Sequence, residues 1–378
     1  MQKYVGRTLY WAICLGCLLL ILCGVVMPLV LMLLAKCDVY LGDWMSWARR
    51  VQLISMQLFF PAWVFFAGAC FGSFLNVVAW RVPRGKSILG PSRCPNCDVQ
   101  LKLSRDNMPI LGWLQSGGRC ASCQWAIPIR YFLLELVLGI AFAILFQLQT
   151  ASGGMTLPFR ELPLADRIVL NFPPDLLMVL GYHLTLLCLI FTFAVCAADK
   201  FIAPVKVLLV GVAMLAIWQC CPLSCGIVDF RFEVSSVEAA STEMISLLDT
   251  PRIFLITSGV GLIAATLCFL FLRSLRFESL HGAWASLFLV GAALGWQSLL
   301  SVVIISCVVH LVTRIQFTAS LFCGTLLHLL TWRWQLDWPW WPGPNGGLWQ
   351  VIAAVFSIAL LATIIRFAKS SVPVVDQH

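Results

Sequence analysis

The chain of 378 residues is 61% hydrophobic and 11% charged, with a mean hydropathy of +0.92. That composition carries more apolar surface than a water-soluble core can bury, so it excludes a soluble globular domain and fits a polytopic membrane protein. The formal net charge of +8 does not call for nucleic acid, because basic loops on one membrane face give the same excess.

The first apolar run, Leu9 to Leu34, is too long for a signal-peptide core and has no small-residue cleavage pattern behind it. It is expected to be a retained membrane helix. Further apolar runs lie near 53–80, 131–149, 176–197, 203–220, 253–272, 283–313, 317–331 and 348–365. The run 283–313 exceeds the roughly 20 residues that cross a bilayer, so it is expected to fold back as two short helices, breaking near Gly295 to Ser298. This gives an all-α membrane protein of about ten transmembrane helices.

Charge tests the parity. Lys3 and Arg7 precede the first run, and the polar loop 81–130 holds Arg81, Arg84, Lys86, Arg93, Lys102, Arg105, Arg119 and Arg130 against Asp98 and Asp106. The positive-inside rule places both in the cytoplasm, with Arg366 and Lys369 after the last helix. The loop 221–252, with Asp229, Glu233, Glu238, Glu243 and Asp249, belongs outside. A count of nine helices would break this pattern, which supports the split of 283–313.

Inside the basic loop, Cys94-x-x-Cys97 and Cys120-x-x-Cys123 are separated by 22 residues. Four soft ligands in two tight turns suit a tetrahedral, structural Zn²⁺ site, and a reducing compartment favours metal over disulfide. Disulfide pairs and an empty knuckle are the alternatives. Cys14, Cys17, Cys23, Cys188, Cys196, Cys268, Cys307 and Cys323 lie in apolar runs as packing residues, while Cys220, Cys221 and Cys225 could include an outer-face disulfide.

The flanks of the knuckle carry a resemblance. GSFLNVVAWRVPRGKS (72–87), CPNC, NMPILGWL (107–114), GRCASC (118–123) and PIRYFLLELVLG (128–139) follow one another over about 68 residues, Gly72 to Gly139. This order resembles the amino-terminal region of prepilin peptidases, the type IV leader peptidase family of membrane aspartic peptidases. The resemblance implies an inner-membrane protein of bacteria that cleaves prepilin leaders at the cytoplasmic face in type IV pilus or type II secretion systems. Some members also methylate the new amino terminus from S-adenosylmethionine. It further implies prepilin or pseudopilin-like partners and the lipid bilayer as surroundings, with no nucleic acid. The chain then divides into an extra amino-terminal helix and loop (1–51), the peptidase-like amino-terminal region (52–149) with its cytoplasmic zinc knuckle (81–130), a helix bundle (150–368) and a short tail (369–378).

The family's chemistry needs two aspartates at the cytoplasmic ends of different helices, one polarising the carbonyl and the other activating water. One lies in a G-x-G-D motif followed by G-x-x-L-G-W-Q. GAALGWQSLL (291–300) matches the follower, and counting back puts Ala283 on the aspartate position. The other opens a D-x-D-x-x-x-x-P segment. Anchored on Pro204, that position is Ala197 and Asp199 is the second acid; a two-residue deletion would instead make Asp199 catalytic. At most one of the two aspartates is kept. Glu278 and His281 could supply a substitute partner for Asp199, against the simpler reading of a solvated charge and a tolerated interfacial histidine. Glu135, near Arg130 on the shared helix start, is assigned to anchoring.

The Trp-rich run 331–347 reads as an outer-face aromatic belt with a Pro/Gly turn. Three functions compete: a catalytically silent relative that binds prepilin-like partners, an active peptidase using Asp199 with a substitute partner, and a transporter. The last would need ionisable residues inside helices, and His183, His310 and His328 are the only interior candidates. The silent relative fits the residues best.

Overall fold

The computed structural model describes residues 42–94, 96–101, 108–157, 173–219, 249–274, 282–335 and 348–370. Among them are no strands, only two isolated bridges, and the helices follow the apolar runs. They are α1 (Gly42–Arg81), α2 (Leu111–Ser116), α3 (Ile129–Leu145), α4 (Pro174–Ala198), α5 (Val205–Gln219), α6 (Asp249–Ser274), α7 (Ala283–Thr313), α8 (Phe317–Gln335) and α9 (Leu348–Ser370). Among the described residues, four segments are long and apolar enough, by length and composition, to cross a membrane: Gln57–Arg84, Ile129–Ala151, Pro174–Ala198 and Ala283–Thr313. The expected first helix, Leu9 to Leu34, and residues 221–248 of the expected loop 221–252 lie outside the described residues, while its last residues, from Asp249, are the start of α6.

Two compact units result. Among the described residues the first holds 42–77 and 87–147, and the second holds 78–86 and the chain from 148 onward.

In the first unit α1 and α3 pack through small residues. A Cβ on Gly72 would fall 2.9 Å from Glu135 Cα, and one on Gly139 would meet the Phe65 carbonyl oxygen at 2.9 Å. Backbones can approach this closely only where no side chain intervenes. α1 begins well before its apolar run and ends where Pro83 removes a donor and Gly85, at φ 68°, turns the chain. Past Leu145 the chain widens into a π-turn, Phe146–Ala151.

In the second unit α4 packs against α5, α7 and α8, with Leu186, Leu187, Ile190 and Phe193 fully buried. Prolines 173 and 174 start it. It closes through Phe201 N–H to Cys196 O and Lys200 N–H to Ala197 O, each 2.9 Å, with Lys200 at φ 61° in the left-handed place that glycine usually fills.

α7 contains the expected break. Gly295 takes φ 83° and ψ 168°, a conformation essentially reserved for glycine. The chain reverses there, and the second unit shows it directly. Gly282, at the start of α7, lies beside the Phe193 carbonyl, where a Cβ would sit 3.5 Å away. Gln316, just past its end, donates from Nε2 to Ala197 O at 2.9 Å. Both ends therefore meet the last turns of α4, whereas a straight helix of 31 residues would separate them by about 46 Å. Near the turn, Tyr182 OH on α4 donates to Ala293 O at 2.7 Å.

One expectation changes. Trp332 in the Trp-rich run is buried rather than interfacial, its ring centroid 5.2 Å from His328 and 6.0 Å from His183, while Trp334 is exposed. The interior histidines are bonded in place: His183 Nδ1 to Gln149 Oε1 and His328 Nδ1 to Gln335 Oε1, each 2.8 Å. Residues 336–347 lie outside the described residues.

Candidate metal centre and catalytic positions

The knuckle is two copies of one backbone turn, 26 residues apart (Cys94 to Cys120). In the first, Cys94 N–H donates to Val99 O and Asp98 N–H to Cys94 O, both 2.9 Å; in the second, Cys120 N–H donates to Trp125 O at 2.9 Å and Gln124 N–H to Cys120 O at 3.0 Å. Each copy is flanked by a bridge, Arg93 to Gln100 and Arg119 to Ala126. Each also carries a non-glycine residue in the left-handed region, Asp98 at φ 54° and Gln124 at φ 57°.

The turns bring the four sulfurs within 4.8 Å of one another. Cys94 and Cys123 Sγ are 3.8 Å apart, and Cys97 and Cys120 Sγ 3.9 Å. A tetrahedron with metal–sulfur bonds of about 2.3 Å has edges of about 3.8 Å, so the donor set fits zinc in number, type and spacing. All four cysteines are free thiols.

Their acidities diverge. The Asn96 amide, 3.5 Å from Cys123 Sγ, and then the Trp125 N–H stabilise the Cys123 thiolate and lower its pKa from 9 to about 6. At Cys97 the Val99 N–H acts in the same sense, but desolvation and hydrogen bonds to Cys123, Cys94 and Cys120 outweigh it and raise the pKa to about 12. Crowded thiolates cannot all ionise alone, so charge settles on Cys123 while Cys97 keeps its proton. A cation among them would draw every proton off.

In the second unit the two expected aspartate positions lie on the end of α4 and the start of α7, and the neighbouring residues Phe193 and Gly282 of those ends are close together. Ala197 is 1% exposed in the last turn of α4, and Ala283 is fully buried as the first residue of α7 after Gly282 at φ 75°. The Ala197 carbonyl accepts from Gln316, and Ser286, one turn into α7, returns its hydroxyl to Gly282 O. Asp199 is the C-terminal cap of α4 and is half-exposed. Glu278 and His281 lie outside the described residues.

The Glu135 carboxyl group accepts the Ile110 N–H at 2.6 Å and hydrogen-bonds Ser73. That partner, a backbone N–H 25 residues upstream, has no signature in the sequence.

Comparison with known proteins matches residues 66–148 to the bacterial peptidase A24 N-terminal domain. A prepilin leader peptidase/N-methyltransferase of Myxococcus xanthus is 46% identical over 84 residues, 22% of this chain and 25% of that protein. A type 4 prepilin-like proteins leader peptide-processing enzyme of Escherichia coli is 36% identical over 105 residues, covering 23% and 39%. A prepilin leader peptidase/N-methyltransferase of Neisseria gonorrhoeae is 36% identical over 102 residues, covering 20% and 35%. The chain thus spans a quarter to two fifths of these relatives. No solved structure matches it.

Proposed function

With residues 66–148 established as an amino-terminal domain of prepilin-peptidase type, we propose that the whole chain is a catalytically silent relative of the prepilin peptidases. It binds prepilin or pseudopilin-like membrane proteins at the cytoplasmic face of the bacterial inner membrane without cleaving them. The observation that carries this reading is the pair of buried alanines, Ala197 and Ala283, on helix ends that converge. A methyl group neither holds nor moves a proton, and the shared-proton chemistry of an aspartate dyad needs both acids.

The knuckle, in this reading, is a zinc-bound platform held by Cys94, Cys97, Cys120 and Cys123, with the amino terminus, the knuckle and the carboxyl terminus all cytoplasmic. Four thiolates leave no open position on the metal, so zinc supplies no reaction there and holds the two turns together.

The alternative is an active peptidase in which Asp199 pairs with Glu278. S-adenosylmethionine would be a cofactor only if the methyl transfer named for the relatives were retained as well. Asp199 favours this alternative by lying at the end of α4, within a turn of Ala197.

Leader cleavage decides between them. Purified protein is mixed with several prepilin substrates, beside an authentic peptidase, and read by mass spectrometry. The silent reading expects no product from this chain under conditions where the control cleaves. Cleavage that disappears in Asp199→Ala and Glu278→Ala would overturn it in favour of the alternative dyad.

A further inference from the structure

The segment between the two halves of the knuckle contains a backbone conformation that its residue disfavours. Ile110 takes φ 62° and ψ −56°, and Leu111 N–H donates back to Pro109 O at 2.5 Å, which is a γ-turn of positive φ. That turn is rare and strained for any L-residue, and a β-branched one is a true outlier. Such strain persists only where the surroundings impose it.

The imposing contact is visible. The Ile110 N–H points away from the turn and donates to Glu135 Oε2 at 2.6 Å. Glu135 is itself fixed: Gly72 of α1 packs against its Cα, and Ser73 bonds its carboxylate. At 2.6 Å this is a short hydrogen bond for a backbone N–H donor.

The strained turn then leads directly to the second cysteine pair. It starts α2, which carries Trp113. The Trp113 ring lies against Gly118, where a Cβ would come within 2.8 Å of Cζ2, and its Nε1 donates to Ile127 O at 3.2 Å. Gly118 and Ile127 are the two ends of the second turn, joined by Ile127 N–H to Gly118 O at 2.7 Å. Cys120 and Cys123 lie between them.

We propose that Glu135 is a positioning residue that latches the Ile110 turn and, through Trp113, presets the second cysteine pair, so that metal affinity in the knuckle is set partly from α3. The proposal rests on the reading that the four cysteines hold zinc. By reciprocity, zinc stabilises the latched turn as much as the latch stabilises zinc.

The test uses full-length protein in detergent, loaded with zinc, as wild type, Glu135→Ala, Glu135→Gln, Ile110→Gly and the double variant Ile110→Gly/Glu135→Ala. Two quantities are read: the affinity for zinc against a chromophoric chelator, and amide exchange in residues 108–116. Glu135→Ala is expected to weaken zinc binding about fivefold or more and to speed exchange across α2. Glu135→Gln, which keeps an acceptor oxygen, should stay closer to wild type. Glycine adopts positive φ without a latch, so the double variant should return to within about twofold of wild type in both readouts.

A Glu135→Ala variant that matches wild type in both, or a double variant no better than Glu135→Ala, overturns the latch. A wild type that holds no zinc overturns the metal reading instead. The exchange measurements then still decide whether Glu135 holds the turn, through the same rescue by glycine.

Discussion

Cys123 is pulled down by the Asn96 amide and the Trp125 N–H, while Cys97, despite the Val99 N–H, is pushed up by desolvation and its neighbouring thiols, and the two shifts set a pH window. Cys123, lowered from 9 to about 6, contributes stability present above about pH 9 and lost as the pH falls through about 6. Cys97, raised to about 12, contributes stability present below about pH 9 and lost as the pH rises through 12. A bound cation replaces both limbs, because all four sulfurs are then thiolates and protons compete with the metal at each of them. Zinc held at neutral pH is therefore expected to pass progressively to a competing chelator as the pH falls, which a titration with a chromophoric chelator measures. Release that is flat from about pH 8 to 5 would contradict ligation by four thiolates. Ala197 and Ala283 lead to a second expectation at this scale. If their burial on converging ends is all that separates the chain from catalysis, Ala197→Asp with Ala283→Asp should create leader cleavage that neither single change gives, because the two acids act only as a pair. A folded double variant that cleaves nothing would show that more than the dyad has been lost.

Among the elements, the helices were legible because apolar runs of bilayer length leave little choice of structure, as for 176–197 and the observed Pro174–Ala198. The break in α7 was legible for the complementary reason: its run is too long for one crossing and has a glycine at mid-length. Gly295→Ala forces a side chain into a conformation worth about 1–3 kcal/mol of strain, so a fall in the melting temperature of the detergent-solubilised protein by several degrees is expected. An unchanged melting temperature would mean that the reversal does not depend on this residue. Other features had no signal. The γ-turn at Ile110 falls on a residue that gives no hint of positive φ. The repeat within the knuckle shows in its two Cys-x-x-Cys pairs, but its shared backbone geometry does not, because Asp98 and Gln124, which take the same left-handed conformation, share no chemistry. Hydrogen bonds between backbone groups make the two turns alike, and backbone groups are the same at every residue. Trp332 was misplaced because a tryptophan-rich stretch near a helix end usually marks an interface; here the ring fills the space between two buried histidines.

For the molecule as a whole, the charge pattern commits to an even number of crossings between the amino terminus, the knuckle and the carboxyl terminus. Reporters inserted in the loop 102–107 and after residue 370 are expected on one side of the membrane, and one in 221–252 on the other. A reporter after residue 370 found on the opposite side from the knuckle would remove the parity argument. The two-copy design of the knuckle also imposes an order on the protein's synthesis. Cys94 and Cys97 are made 26 residues ahead of their counterparts, a wait of roughly 1–5 s at 5–20 residues per second. During that interval the nascent chain exposes a single thiol pair, which grips a metal weakly and is open to oxidation. Helix α3 starts at Ile129, only six positions after Cys123. The knuckle therefore becomes able to close just as the next membrane segment leaves the ribosome, so that metal supply and membrane insertion meet at one moment in the life of each new chain.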